Sequence, residues 1–317
     1  MLETTLCGVT LNNPVIAASG TFGFGAEYGQ LFDVGKLGGI CTKGLTLHPR
    51  QGNPGMRVWE TPAGMMNSVG LQNPGIRVFL ERELPRMRTL GPAIIANVGG
   101  GSLEEYVEGV RLLSEAEGID IIELNISCPN VHEGGMAFGI KCDVAASVVT
   151  AVRSVCSKPL MVKLSPNAED ITAMAIACEQ AGADAISLVN TFKALAFDIH
   201  ARKPVFANVT AGLSGPCIKP IALRMVWEVA SAVHIPVVGI GGITTWQDAL
   251  EFIMAGATAV EVGTATFVKP TAMLDIVGGL EHYCTSEHLT SLATICNILG
   301  TETPLALNKR ARGVPKL

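Results

Sequence analysis

Eight short runs of β-branched and apolar residues, each followed by a stretch with helical periodicity, constrain this chain more than any other feature. They fall at 14–18 (Pro-Val-Ile-Ala-Ala), 39–43 (Gly-Ile-Cys-Thr-Lys), 93–98 (Ala-Ile-Ile-Ala-Asn-Val) and 120–126 (Asp-Ile-Ile-Glu-Leu-Asn-Ile). The second four lie at 159–164, 184–190, 236–240 and 259–263. Strand–helix alternation builds a parallel sheet through right-handed crossovers. Strands buried on both faces read as continuous apolar runs, and a chain that is 48% apolar and only 16% charged suits such strands. Eight repeats predict one closed (β/α)8 TIM barrel over residues 1–300, with 301–317 left as a mobile C-terminal tail. A Rossmann-type sheet is the rival, suggested by Gly20-Thr-Phe-Gly-Phe-Gly25. Those glycines are spaced G-x-x-G-x-G, and no acidic residue follows a second strand at the expected distance.

Local signals agree with the alternation. Ser102-Leu-Glu-Glu reads as a helix cap, and Asn167-Ala-Glu-Asp opens another helix with acids in its first turn. Ala181-Gly-Ala-Asp and Ala255-Gly-Ala place glycine where helices stop. Residues 44–76 and 192–218 interrupt the pattern. Both follow strand C-termini, the face on which barrel enzymes build their sites, so long βα loops forming lids and pockets are expected there.

The formal charge of −5 and a single short basic run, Lys309-Arg-Ala-Arg312, argue against nucleic acid as a partner. Nine scattered cysteines without a Cys-x-x-Cys pair support neither a zinc ribbon nor an iron–sulfur cradle, and suit reduced thiols. No stretch is long and apolar enough to span a bilayer, and the first residues lack the pattern of a secretion signal. The expected location is the cytoplasm, without a membrane partner. His132, His282 and His288 lack metal-ligand spacing, and no metal site is expected.

Chemistry should concentrate at the strand ends, where Ser19, Lys43, Asn97, Asn125, Lys163, Asn190, Gly241-Gly242 and Gly263-Thr264 form a full ring of polar residues and glycines, one contribution from each strand. The glycines after strands seven and eight occupy the usual phosphate position of barrels, although they also serve simply to turn the chain. Lys43 and Lys163 would face an anionic ligand, snorkel to solvent, or, for Lys163, form a Schiff base. Asn67, Asn125, Asn130 and Asn190 can read a ring that offers both donors and acceptors, or merely cap backbone. Cys128 follows strand four directly, and its thiol can take a proton near neutral pH.

At these motifs the chain resembles the dihydroorotate dehydrogenases, specifically the class 1B catalytic subunits. The matching pieces are Ala18-Ser19-Gly20-Thr-Phe-Gly-Phe-Gly25, Lys43-Gly44, Asn67-Ser-Val-Gly-Leu-Gln-Asn73, Asn125-Ile-Ser-Cys-Pro-Asn130, Lys163 and Val189-Asn-Thr191, followed by the two glycine motifs. The resemblance covers about residues 1–300. It implies FMN at the barrel mouth, lined by Ser19, Lys43, Gly44, Asn97, Asn125, Lys163, Val189, Gly215, Gly241, Gly242, Gly263 and Thr264. Dihydroorotate contacts would fall to Lys43, the run Asn67, Ser68, Val69, Gly70 and Leu71, and Asn125, Asn190 and Thr191.

By the same resemblance Cys128 is the base, removing a proton while flavin N5 takes the hydride, and Lys163 stabilises charge on the reduced ring. Loop 128–139 would close over the site, hinged at Gly134-Gly135. A separate electron-transfer subunit, carrying FAD and a [2Fe–2S] cluster, would pass electrons to NAD in a heterotetramer of two catalytic and two electron-transfer chains. Three alternatives stay open: a fumarate-linked class 1A enzyme or a related dihydropyrimidine dehydrogenase, a Schiff-base aldolase on Lys163, and a non-catalytic phosphate-binding barrel.

Overall fold

A computed structural model describes residues 1–127 and 139–299. The eight apolar runs become β1 (Val15–Ala17), β2 (Gly39–Cys41), β3 (Ala93–Val98), β4 (Ile121–Asn125), β5 (Leu160–Lys163), β6 (Ala185–Leu188), β7 (Val237–Ile240) and β8 (Ala259–Val262). They pair in chain order, all parallel, and β8 closes on β1 with Val260 opposite Val15. The chain is therefore a single eight-stranded parallel barrel, the (β/α)8 architecture expected from its repeats.

Among the described residues, six longer helices pack around it, α1 (Leu103–Glu115), α2 (Cys142–Arg153), α3 (Ile171–Gln180), α4 (Lys219–Ala230), α5 (Trp246–Met254) and α6 (Ala272–Ser286), with a shorter helical stretch over 76–87 between β2 and β3 and another at Ala265–Val268. Ser102 caps α1 by accepting from the Glu105 N–H at 3.2 Å. The start of α3 differs from expectation, because Asp170 rather than Asn167 caps it, accepting from the Thr172 and Ala173 N–H groups. The Asn167 side chain is engaged elsewhere, reaching Ser165 and the backbone N–H of Lys193. The β1–β2 crossover is a second departure. It contains only 3-10 turns, Tyr28–Gln30 and Val34–Lys36, since Gly20, Gly23 and Gly25 all take positive φ and break any helix there. Gly182 and Gly256 end helices at positive φ, as their sequence positions suggest.

Inside the barrel the lower layer is apolar. Each strand sends in one side chain: Ile16, Cys41, Ile95, Ile121, Met161, Ala185, Val238 and Ala259, all fully buried. Leu6 and Leu11, from an N-terminal hairpin of Thr4–Leu6 and Val9–Leu11, plug this layer from below. Burying each leucine contributes roughly 1.5–3 kcal/mol.

At the opposite end the two long loops meet. Gly64–Asn67 pairs with Thr210–Ser214, Gly212 opposite Asn67, and the flanking strands Val58–Thr61 and Phe192–Leu195 complete a four-stranded antiparallel sheet. This sheet stands over the C-terminal mouth of the barrel and carries its own small core of Met66, Phe206 and Ala211. Among the described residues, no helix is long and apolar enough to cross a membrane.

Candidate active site

A cavity of about 550 Å³ opens between the barrel mouth and the four-stranded sheet. Every strand except β3 gives it a residue at or beyond its C-terminal end. Ser19 follows β1, Lys43 and Gly44 follow β2, Asn125 ends β4 and Lys163 ends β5. Val189, Asn190 and Thr191 follow β6; Gly241 and Gly242 follow β7; Gly263 and Thr264 follow β8. The sheet contributes Asn67 and the run Ser68, Val69, Gly70 and Leu71 from one long loop, and Gly215 from the other. Asn97 alone, among the described residues expected to line the flavin or hold the substrate, does not line the cavity. It points into the barrel, fully buried, and its amide donates to Glu123.

The floor is a charged layer directly above the apolar one. Lys163 crosses the barrel to donate to Glu261 Oε2 at 3.0 Å and lies 3.6 Å from Glu123 Oε2. Glu123 also accepts from the Cys41 thiol at 3.0 Å, from Ser187 Oγ at 2.7 Å and from the Asn97 amide. Burial opposes charge on all three ionisable groups, and mutual attraction decides the outcome. For Lys163 the two carboxylates outweigh burial and raise it above the usual lysine range. Burial pushes Glu123 up, but Lys163 and its hydrogen-bond donors hold it below the usual range. Burial and then the Glu123 charge push Glu261 up to about 8. A lysine held so firmly protonated is a fixed cation, not an amine nucleophile, which counts against the Schiff-base reading.

Glu123 and Glu261 were not legible as site residues in the sequence. Their signal was present: a lone acid inside an apolar strand, two residues before Asn125 and two before Gly263, faces the interior by strand alternation. Cys41, Glu123 and Glu261 bring ligand-type atoms within 4.8 Å of one another, but the Lys163 ammonium already sits where a cation would.

The wall at β4 and β6 is a network of amides. Asn125 Oδ1 accepts from the Ser127 N–H, the Ser127 hydroxyl and Asn190 Nδ2, and Asn190 Oδ1 accepts from the Thr191 N–H at 2.7 Å. The Asn125 amide nitrogen has no acceptor among the described residues, and Asn125 lines the cavity. Tyr106 Oη donates to the Asn125 carbonyl at 2.8 Å and fixes the strand end. Ser127, quoted in the sequence motif but given no role there, lines the cavity and immediately precedes Cys128. Lys43 is half-buried, with no hydrogen-bond or carboxylate partner among the described residues, and burial holds its ammonium below the usual range.

Cys128, Asn130, His132 and the Gly134-Gly135 hinge lie outside the described residues, as does the segment 301–317. His282 and His288 are exposed on either side of buried Cys284 and converge on nothing in the cavity.

Residues 1–284 match the sequence profile of the dihydroorotate dehydrogenase family. Among curated proteins, the chain is 58% identical over 301 residues to the dihydroorotate dehydrogenase B (NAD(+)) catalytic subunit of Petrotoga mobilis, covering 94% of this chain and all of that protein. It is 51% identical over 300 residues to the Thermoanaerobacter pseudethanolicus protein of the same name, covering 95% and 98% of the two chains. The Porphyromonas gingivalis counterpart is 54% identical over 276 residues, covering 87% and 90%. Profile and relatives span nearly all of the barrel and its roof, and the chain belongs to the dihydroorotate dehydrogenase family.

Proposed function

We propose that this chain oxidises dihydroorotate to orotate in pyrimidine biosynthesis, with FMN bound in the cavity and Cys128 as the base. The observation that carries this reading is one cavity that combines a fixed cation at its floor, a glycine-lined end and a wall of oriented amides. The fit to FMN rests on this geometry. About 550 Å³ lies within the usual range for small-molecule sites. A Cβ on Gly242 would meet the Lys219 N at 2.8 Å and the Gly215 carbonyl at 2.9 Å. No side chain fits at Gly242, and Gly242, Gly263 and Thr264 all line the cavity, a glycine-rich lining that suits a phosphate. Lys43 offers a second cation, without a partner among the described residues.

A flavin bound here supplies the hydride acceptor. The protein's own residues do the rest. Asn125 and Asn190, their amides oriented through Ser127, present groups that pair with a ring carrying carbonyls and N–H donors. Asn67 and the 68–71 run hold the ring from the roof. Cys128 removes the proton from the carbon next to the ring carbonyl, while the hydride leaves from the neighbouring carbon. Lys163 and Lys43 hold positive charge where negative charge develops.

The relatives are named as NAD(+)-type catalytic subunits. We extend that to this chain: its electrons pass through a partner holding FAD and a [2Fe–2S] cluster to NAD, in a cytoplasmic complex of two catalytic and two electron-transfer subunits. The test is to purify the chain, release and identify its flavin, and assay orotate formation with an artificial electron acceptor. FMN together with orotate formation is expected. FAD in its place, or FMN without orotate formation, would sink the reading.

A further inference from the structure

The two carboxylates beneath the cavity are not equivalent, and the difference lies in their hydrogen bonds. Glu123 accepts from Cys41, Asn97 and Ser187, with Lys163 beside it. Among the described residues Glu261 has no donor but Lys163, its other interaction is with the Glu123 carboxylate itself, and its Oε1 is buried without a donor. Both side chains are fully buried. A buried carboxylate oxygen with no donor is costly when ionised, and two carboxylates this close do not both ionise readily. Lys163 supplies one positive charge for the two acids, so full ionisation would leave one net negative charge buried under the cavity.

We propose that Glu123 and Glu261 share one buried proton, carried by Glu261, and act as positioning residues that set the reduction potential of the flavin above them. The assignment follows the donor count: the carboxylate with several donors stays ionised, and the one whose second oxygen is orphaned holds the proton. With that proton the layer is neutral, Lys163 balanced by Glu123. Without it, a net negative charge opposes electron transfer into the cavity. The groups facing the pair are Cys41 from β2, Asn97 from β3, Lys163 from β5 and Ser187 from β6. Strands β1 and β7 contain no titratable residue. Cys41 is itself pushed up by burial and then by Glu123, and stays a neutral thiol. Glu261 is thus the group that changes charge as pH rises through about 8. The effect on potential rests on the flavin reading above; the shared proton does not.

Two measurements on the full chain separate these parts. Infrared difference spectra between neutral and alkaline pH should show the carbonyl stretch of a protonated carboxylic acid, lost at high pH. Glu261→Gln should lack the band. Glu123→Gln should lack it too, because Glu261 then becomes the sole counter-ion of Lys163 and ionises. No such band in the wild-type chain, or its survival in Glu261→Gln, overturns the shared proton. The second measurement is the flavin midpoint potential against pH by dye-coupled titration. Above about pH 8 it should fall more steeply in the wild-type chain than in Glu261→Gln, because reduction there takes up an additional proton. Parallel curves would overturn the coupling while leaving the infrared result intact. A chain that binds no flavin would fail the functional reading, and the infrared test would still decide the proton.

Discussion

The barrel interior divides into two layers that differ by a step of two residues along the same strands. Ile121, Met161, Ala185 and Ala259 face the lower layer; Glu123, Lys163, Ser187 and Glu261, two residues on, face the upper one. The lower layer is filled with hydrocarbon and sealed by Leu6 and Leu11. The upper layer is charged, fully buried and bonded mainly within itself. The contrast separates what holds the barrel together from what the barrel holds in place. Removing a lower side chain loses contacts and leaves a void. Removing Lys163 from the upper layer leaves two buried carboxylates without a counter-ion.

The largest expected effect belongs to the proposed base. Cys128→Ala should slow flavin reduction by dihydroorotate roughly 10²–10⁴-fold, with flavin retained and thermal stability unchanged. Stopped-flow reduction checks this, and an unchanged rate would remove Cys128 from the chemistry. Cys128→Ser should fall between the two. Lys163→Ala should lose both flavin retention and reduction, because Glu123 and Glu261 are left facing each other without a cation; full flavin occupancy with normal reduction would break the account of the upper layer.

Leu11→Ala makes the opposite kind of change. Unfolding in denaturant should show a loss of about 2–5 kcal/mol, as for other buried leucine truncations, while the reduction rate of the folded protein stays at the wild-type value. A changed rate would mean that the layers are not separate. The smallest effect is one of pH. Glu261 has a raised folded-state pKa, so its contribution to stability is complete below the ordinary glutamate range and is lost as pH rises from there through about 8. The thermal midpoint should decline over that interval and then level off, and Glu261→Gln should lack that component.

Most of the barrel was legible in the sequence because parallel strands buried on both faces leave continuous apolar runs, as Ala93–Val98 shows. Strand-end residues such as Asn125 and Lys163 were legible because polar groups at the end of an apolar run stand out. Glu123 and Glu261 were harder to see, since a single acid within a strand is ordinarily a solvated one. What buries them is closure of the barrel around Lys163, which brings β5 and β8 face to face. The roof sheet was hidden for another reason. Gly64–Asn67 and Thr210–Ser214 lack alternating β-branched residues, and their pairing joins segments far apart in sequence. Tertiary contact decides such strands more than local preference does. The β1–β2 crossover failed in the opposite sense, its glycines allowing turns where the repeat predicted a helix.

The most direct test of the central claim is an anaerobic titration of the purified chain with dihydroorotate, following the visible absorbance of the oxidised flavin. The account predicts stoichiometric bleaching on substrate addition, without any partner subunit present. A yellow protein that stays yellow under excess dihydroorotate would contradict it, placing a flavin in the cavity but a different substrate beneath the roof.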